Sequence, residues 1–355
     1  LRDILRAQLG DHRATQRSAA LDAPAQTAPN GNRAGDVALQ LLALADRLES
    51  LAMEADFSFL YHPRRHLLHI GFRVTDQQLD SSFYDLLASE SRLTSLLAIA
   101  KGDVPVSHWA ALGRPFYALG AQAGLRSWSG SMFEYLMPSL VLDEPHGSVL
   151  RDACLGAIRE QIDFAAAQGV PWGISESAYA GRDHTLAYQY APQGVPRLAL
   201  RRTPPDELVV APYATALAAQ LAPRRAVSNF GALEHILPRA TYGFIEALDF
   251  SPARQTGNEA CTPVSTFMAH HQGMSIVALA NVLLDGPAQR WGMANPHIEA
   301  VSSLLHERAP RELPRLYAQP SGPPAQGLRR RAPGLLRQVV PGETVGLVGE
   351  SGCGK

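Results

Sequence analysis

The sequence has few cysteines and no long apolar run. Its three cysteines, Cys154, Cys261 and Cys353, are odd in number and too far apart for a disulfide framework or a CxxC motif. No apolar run reaches the roughly 18 residues of a membrane span, and the first residues lack a signal peptide's apolar core. These absences predict a reducing compartment and no membrane-spanning segment. The first residue is not methionine, so we expect a segment of a longer protein.

A surplus of charge is also missing. Lysine and arginine together number 32, and aspartate and glutamate number 33. Such a balance argues against the basic face that nucleic-acid binding needs, so no nucleic-acid partner is expected. Hydrophobic residues make up 46% of the 355 residues. That is enough for a sizeable core in one large domain or two ordinary ones.

Apolar residues recur mostly at helical spacing. The spacing predicts helices over about 37–52, 80–100, 131–142, 148–168, 206–221, 223–236, 266–284 and 296–307. Asp36 is the expected N-cap of the first helix. Alternating apolar residues predict one β-hairpin between Phe57 and Phe72. The pattern therefore predicts a mainly α fold, a helical toroid or bundle with small hairpins, and not a doubly wound sheet.

Composition divides the chain into four parts. They are an N-terminal segment and linker (residues 1–36), a helical domain (37–312), a linker rich in proline and arginine (313–334) and a glycine-rich end (335–355).

The last seven residues match the phosphate-loop pattern GxxxxGK, with Gly349, Gly354 and Lys355 at its fixed positions. They resemble the start of an ABC-transporter ATPase. The Mg²⁺-binding Ser/Thr and the helix that completes such an anion site do not follow. We therefore predict a vestigial loop that binds no nucleotide, and no cofactor is expected.

Acids stand among aromatic and small polar residues between positions 128 and 190. Glu134 follows a tryptophan by six residues, and Glu176 lies between Trp172 and Tyr179. Aromatic faces beside carboxylates are typical of sugar-binding sites, because the faces carry the pyranose while acids handle the hydroxyls and the glycosidic oxygen. The same combination also occurs in ordinary protein cores.

Four glutamates are candidates for chemistry. Glu134 lies at capping-box spacing from a serine, so it could simply close a helix. Glu90 is predicted in mid-helix, where it would need a partner such as Arg92 or a tyrosine. Glu176 follows a predicted helix end, where functional groups are better tolerated, and Glu246 is the fourth. Glycoside chemistry needs two such acids at a fixed separation.

Two neighbouring histidines, His270 and His271, raise the question of a metal. Adjacent residues of a helix point about 100° apart and do not ligate one ion together. We predict no metal site. One histidine is expected to face the core, and the other a cavity together with Gln272.

Seven stretches resemble one family: residues 56–65, 82–93, 100–109, 131–138, 171–179, 211–216 and 267–274. They are similar to the central glucoamylase-like domain of cyclic β-1,2-glucan synthase, over about residues 37–312. The resemblance implies an (α/α)₆ toroid related to bacterial endo-β-1,2-glucanases, although eight or nine of its twelve helices are predicted. It also implies a retaining transglycosylase that closes linear β-1,2-glucan into rings.

The resemblance implies roles for individual residues. Its Ser-Glu-Ser-Arg and Ile-Ser-Glu-Ser motifs place the catalytic pair at Glu90 and Glu176, with Glu176 favoured as the nucleophile. Glu134 would contact substrate or support the pair. The remaining expected substrate-binding residues are the aromatic walls Trp109, Trp128, Trp172, Tyr179 and Tyr188, and the polar residues Arg65, Arg126, Glu246, His270, His271 and Gln272.

Other functions remain open. Water as the acceptor would make the domain an endo-β-1,2-glucanase, and a truncated segment could bind glucan without turnover. The resemblance implies β-1,2-glucan as the partner. It also implies covalently linked membrane glycosyltransferase and phosphorylase-like regions, on the cytoplasmic side of the bacterial inner membrane.

Overall fold

The computed structural model describes residues 31–119, 122–204, 206–236, 242–255 and 260–309. Within those ranges it contains ten α-helices. They are α1 Gly31–Glu54, α2 Arg92–Lys101, α3 Ser107–Ala111, α4 Met132–Leu136, α5 Val149–Gln168, α6 Pro212–Ala219, α7 Pro223–Ile236, α8 Ala269–Leu283, α9 Pro287–Met293 and α10 Pro296–Val301. The vestigial phosphate loop and the linker before it lie outside the described residues.

Short strands connect the helices. They are β1 Tyr61–His62, β2 Leu67–His69, β3 Phe72–Arg73, β4 Gln78–Leu79, β5 Phe83–Tyr84, β6 Phe116–Leu119, β7 Gln122–Leu125, β8 Ser177–Arg182, β9 Tyr188–Ala191, β10 Val209–Val210, β11 Ala247–Asp249 and β12 Thr262–Val264. They form two three-stranded sheets, β1-β2-β5 and β10-β11-β12, and three hairpins, all antiparallel. Strands of only two to six residues do not form an extended sheet, so most of the hydrophobic core lies between helices.

Helix α6 lies at the centre of the core. Each of its eight residues is buried, and it packs against α4, α7 and α8. A short helix that is buried on every side gains its stability from packing, because an isolated helix of this length is unstable in water. Its four alanines have no side chain beyond Cβ, so the neighbouring helices can approach closely.

Helix α5 confirms the helix predicted over 148–168. Ser148 is its N-cap, and its hydroxyl accepts a hydrogen bond from the amide of Arg151 at 3.2 Å. Gly169 ends the helix at φ 70°, a left-handed conformation that glycine adopts without strain. The buried residues recur every three or four positions and include the polar Gln161.

The helix predicted over 80–100 is wrong in its first half. Phe83–Tyr84 forms β5, and α2 begins only at Arg92. Between them, the Ser89 hydroxyl accepts a hydrogen bond from the amide of Ser91 at 3.2 Å, a local bond that competes with helical backbone bonding. Glu90 therefore lies in the turn before the helix and not in its middle.

Other boundaries also differ from the prediction, and α4, α8 and α10 are shorter than predicted. Helix α1 begins at Gly31, so Asp36 lies inside it and is not its N-cap. The helix expected from 206 begins at Pro212, because Val209–Val210 pairs with β11 as a strand. The predicted hairpin is confirmed in shorter form, with Tyr61 opposite Leu68.

Among the described residues between 31 and 309, no helix combines the length and the apolar character needed to cross a membrane.

A buried ion pair joins α2 to the segment before α5. The Arg92 guanidinium donates to Glu144 from Nε at 3.0 Å and from Nη2 at 2.8 Å. It also donates to the carbonyl oxygens of Ser89, Glu134 and Tyr135 at 2.9, 2.8 and 2.6 Å. Both charges are almost fully removed from water, so each needs these partners to remain buried.

Removing Arg92 should therefore destabilise the fold strongly. We expect Arg92→Met to lower the free energy of unfolding by about 3–5 kcal/mol, because it leaves Glu144 charged and unpaired inside the core. Urea unfolding would measure the change. The control is Arg73→Met, which breaks an exposed ion pair with Asp76 at 3.4 Å and should cost less than about 1 kcal/mol. Equal losses in the two variants would contradict this account.

Candidate active site

Glu134 is held at the N-terminus of α4 by serines. Its carboxylate accepts hydrogen bonds from the Ser127 hydroxyl at 2.7 Å, the Ser129 hydroxyl at 2.7 Å, and the amides of Ser129 and Ser131 at 3.0 Å each. The Ser131 hydroxyl in turn accepts from the Glu134 amide at 3.4 Å, which completes the predicted capping box. The two hydroxyls and the two amides all donate to the Glu134 carboxylate, which is therefore a fixed acceptor.

Glu176 lies directly before β8, in a segment fixed by two helices. The Tyr213 hydroxyl of α6 donates to the backbone oxygen of Glu176 at 2.9 Å. The same hydroxyl lies 2.8 Å from the Ser175 hydroxyl, which accepts from the amide of Phe133 in α4 at 3.0 Å. The backbone that carries Glu176 is therefore tied to both α4 and α6.

Gln161 of α5 fixes the preceding residues. Its amide nitrogen donates to the backbone oxygen of Ile174 at 2.7 Å, and its oxygen accepts from the amides of Gly173 and Ile174 at 3.3 and 2.8 Å. Gly173 has φ 128° and packs so that a Cβ atom would lie 3.2 Å from the backbone oxygen of Ala211. A side chain there would be strained, so this turn depends on glycine.

Glu90, Glu134 and Glu176 influence one another electrostatically. Burial raises the pKa of Glu90 above its ordinary value, and the negative charges of Glu134 and Glu176 raise it further. The pKa of Glu176 is likewise raised by burial and by Glu134. The structure thus places three of the four candidate glutamates, Glu90, Glu134 and Glu176, within electrostatic reach of one another.

Tyrosines from two strands join the same region. Burial raises the pKa of Tyr84 in β5, and the charges of Glu90 and Glu176 raise it further. Tyr190 in β9 lies close enough to Glu176 for its hydroxyl to lower the pKa of that carboxyl. Burial, followed by the charge of Glu176, raises the pKa of Tyr190 itself. Neither tyrosine was predicted to belong to the site, since strands of two and four residues give little pattern to follow.

Trp128 and Arg201 stand beside this acidic cluster. Trp128 lies between two of the serines that hold Glu134, and 47% of its surface is exposed. The Arg201 amide donates to the backbone oxygen of Trp128 at 2.9 Å, and its positive charge lowers the pKa of Glu176. The buried Nε of Arg201 has no hydrogen-bond partner in the described part of the chain. Arg201 was not predicted, because one arginine in a loop has no sequence signal.

Two of the predicted aromatic walls require correction. Trp109 is 3% exposed and Trp172 is 7% exposed, so both belong to the hydrophobic core. The backbone of Trp172 is fixed by Asn229, which accepts from its amide at 3.1 Å and donates to its carbonyl oxygen at 2.7 Å. A buried indole offers no face to a sugar ring, so neither tryptophan is included in the proposed site.

Other residues that were predicted to contact substrate make contacts within the protein. Arg254 covers the ring of Tyr179 at 4.7 Å, and Arg182 covers that of Tyr188 at 4.2 Å. Arg65 lies 5.0 Å from the Phe83 ring, Arg126 lies 5.8 Å from the Tyr117 ring, and Gln272 donates to the backbone oxygen of Phe244 at 3.3 Å. These contacts support hairpins and helices, and they provide no independent evidence for sugar binding by these residues.

The two histidines of α8 have different surroundings. His270 is exposed, and its pKa is lowered by partial burial and by the charge of His271. His271 is buried, and its Nδ1 lies 3.0 Å from Glu246, which is also buried. Contact with sugar hydroxyls was predicted for His271 and Glu246, but their burial leaves them no surface to offer. This is a further correction.

Comparisons with known proteins agree with this architecture. The family model "Glycoamylase: Putative glucoamylase" matches residues 82–296. Over 280 residues, the chain is 48% identical to the cyclic beta-(1,2)-glucan synthase NdvB of Rhizobium meliloti, which covers 79% of this chain and 10% of that protein. The chain therefore spans about a tenth of that relative's length.

Solved structures share the fold at low sequence identity. An endo-beta-1,2-glucanase from Chitinophaga pinensis superposes with a TM-score of 0.56 at 17% identity, covering 77% of this chain and 66% of that one. One from Talaromyces funiculosus gives 0.52 at 13% identity, covering 76% and 59%.

The helical domain with its small sheets is thus of the (α/α)₆ toroid class, which confirms the predicted fold. By both the family model and the curated relative, the chain belongs to the glucoamylase-like family.

Because the pKa of Glu176 is raised in the folded chain, ionisation of this residue should lower the free energy of unfolding. Glutamate in the unfolded chain loses its proton near pH 4, whereas folded Glu176 keeps it to higher pH. Stability should therefore fall as pH rises through the raised pKa. We expect Glu176→Gln to unfold at a higher urea concentration than the unsubstituted chain at pH 8, with the difference shrinking toward pH 4. Exposed Glu299→Gln is the control. A constant difference at all pH values would contradict the assignment.

Proposed function

We propose that this domain cleaves and re-forms β-1,2-glucosidic bonds. In this reaction it transfers the cleaved end of a glucan to a hydroxyl of the same glucan molecule. The observation that carries the proposal is the shared site of Glu90 and Glu176, two acids with raised pKa in one partly buried region. Acids tuned in this way are suited to proton transfer and covalent catalysis near neutral pH. The relationship to a cyclic beta-(1,2)-glucan synthase supports the choice of glucan.

The neighbours of the two acids favour different roles. Glu176 lies near the Tyr190 hydroxyl and near the positive charges of Arg201 and His271, and all three favour its ionised form. The side-chain charges that act on Glu90 come from Glu134 and Glu176 and are both negative, which favours its protonated form. Glu176 is therefore assigned as the nucleophile and Glu90 as the acid/base, as in a retaining glycosidase.

The reaction then has two balanced steps. The Glu176 carboxylate attacks the anomeric carbon, the glycosidic C–O bond breaks, and the leaving oxygen takes the proton of Glu90. In the second step, a glucan hydroxyl attacks the anomeric carbon and gives its proton to Glu90, and the bond to Glu176 breaks. An acceptor from the far end of the same chain produces a ring, whereas water as acceptor produces a linear chain.

Trp128 and Arg201 are suited to hold the sugar acceptor. A tryptophan face packs against a pyranose ring, and Trp128 is half exposed beside the serines around Glu134. Arg201 carries a positive charge that acts on Glu176, and its backbone amide is bonded to the carbonyl oxygen of Trp128. Transfer competes with hydrolysis only when the acceptor is positioned and water is kept out, so both residues are assigned to acceptor binding.

We infer the wider context from the family alone. In the whole protein, the domain would work on glucan made by a covalently linked membrane glycosyltransferase, beside a phosphorylase-like region, on the cytoplasmic side of the inner membrane. The resemblance of the sequence to the synthase family supports this arrangement.

Incubating the chain with linear β-1,2-glucan would test the proposed function. We expect cyclic products, which weigh one water less than the linear chains, and a loss of about a thousandfold or more in Glu176→Gln and Glu90→Gln. The exposed Glu299→Gln should retain activity. Shortened linear chains without rings would instead identify a hydrolase, and unchanged product from Glu176→Gln would remove Glu176 from the chemistry.

The two acids can be told apart by chemical rescue. With azide present, Glu176→Ala should form a glucosyl azide of inverted anomeric configuration, because azide enters from the side that the carboxylate has vacated. Glu90→Ala should form the azide with retained configuration through the Glu176 intermediate. NMR of the products would distinguish them, and the opposite pattern would exchange the two roles.

A further inference from the structure

Glu246 and His271 form a buried pair behind Glu176. The His271 Nδ1 lies 3.0 Å from each carboxylate oxygen of Glu246. Glu246 also accepts a hydrogen bond from the amide of Ala178 at 3.1 Å, and this amide belongs to β8, which begins directly after Glu176. Both side chains are nearly inaccessible to solvent. The pair is therefore closed to substrate on the Nδ1 side of the ring.

The imidazole of His271 is fixed in orientation. Its ring stacks on Tyr213 with centroids 3.8 Å apart and planes at 10°. The neighbouring His270 ring lies 4.0 Å away. A stacked ring cannot rotate without losing this contact, so the second nitrogen, Nε2, points in one direction.

That second nitrogen meets Tyr190. The Tyr190 hydroxyl lies 3.4 Å from Nε2 of His271. Tyr190 pairs across the hairpin with Ala178, two residues after Glu176, and its hydroxyl lowers the pKa of the Glu176 carboxyl. An imidazolium donates from both nitrogens. When His271 carries a proton on both nitrogens, Nδ1–H faces Glu246 and Nε2–H faces the tyrosine oxygen, which directs the hydroxyl proton of Tyr190 to Glu176.

We propose that Tyr190, His271 and Glu246 form a positioning triad that holds the Glu176 carboxylate ionised and aimed for attack. This inference rests on the proposed function of Glu176 and adds three residues that act through it. Tyr190 is 40% exposed, whereas the other two are buried. The triad therefore connects the open site to the core, and the charge on Glu246 acts on Glu176 through His271 and Tyr190.

Charged groups from several elements face Glu176, and the test must separate them. Tyr190 comes from β9, His271 from α8 and Arg201 from the segment after β9, and each lowers the pKa of Glu176. Glu134 of α4 raises it, and Glu90 lies in the turn before α2. Substituting Tyr190 or Glu246 leaves Arg201, Glu134 and Glu90 in place, so a change in the pH dependence would report the triad.

The experiment compares Tyr190→Phe, Glu246→Gln and the double variant with the unsubstituted chain on linear β-1,2-glucan. Tyr190→Phe should lower kcat/KM at neutral pH about tenfold or more, since it removes a hydrogen bond to a charged group, and move the acidic limb of the profile to higher pH. Glu246→Gln should move the limb the same way. The double variant should shift it no further than the larger single change. Tyr242→Phe, on a tyrosine that is 77% exposed, is the control.

The outcomes separate the triad from the function. Lower activity with an unmoved acidic limb, or additive shifts in the double variant, would overturn the triad and leave the proposed function standing. If the unsubstituted chain converts no glucan, the function fails, and ¹³C NMR titration of Glu176 decides the triad. A pKa of Glu176 that rises in Tyr190→Phe and in Glu246→Gln supports it, and an unchanged pKa overturns it.

Discussion

The repulsion among three carboxylates in one partly buried region is the constraint on which the site depends. The protein meets it unequally. Glu134 receives four strong donors from serines, which fix it as a permanent acceptor. Glu176 receives a tyrosine hydroxyl and nearby positive charge, while Glu90 has the hydroxyl of Ser89 at 3.1 Å and two negative neighbours. Under the proposed roles, these neighbours favour the protonated form of Glu90 and the ionised form of Glu176.

The scaffold serves this arrangement by fixing backbone more than side chains. Gln161 binds the turn before Glu176, and Tyr213 binds the carbonyl oxygen of Glu176 itself. These polar groups come from buried helix positions, where an unsatisfied donor or acceptor would be costly. Their hydrogen bonds therefore stabilise the fold and also fix the backbone that carries the Glu176 side chain, which is itself partly exposed.

Much of this could be predicted from the sequence, but not all of it. Periodicity and caps located α5, and the capping box at Glu134 was readable from spacing alone. Glu90 was placed in a helix because apolar residues on both sides fit helical spacing, and the local bonds of Ser89 break that pattern. Burial was less accessible. A tryptophan such as Trp109 has the same composition signal whether it lines a cleft or fills a core, and only tertiary packing decides. Tyr190 and Arg201 belong to the site because they lie near Glu176 in space, and the sequence alone does not show this proximity.

The guanidinium of Arg92 has a consequence for how this family can change. It binds the carbonyl oxygen of Ser89, next to Glu90, and also that of Glu134, so a single cation locates the turn that carries Glu90 and the helix α4 that carries Glu134. A shift in the core near Arg92 would therefore also displace Glu90 and Glu134. Under the proposed function, selection for catalysis and selection for folding would act on the same atoms.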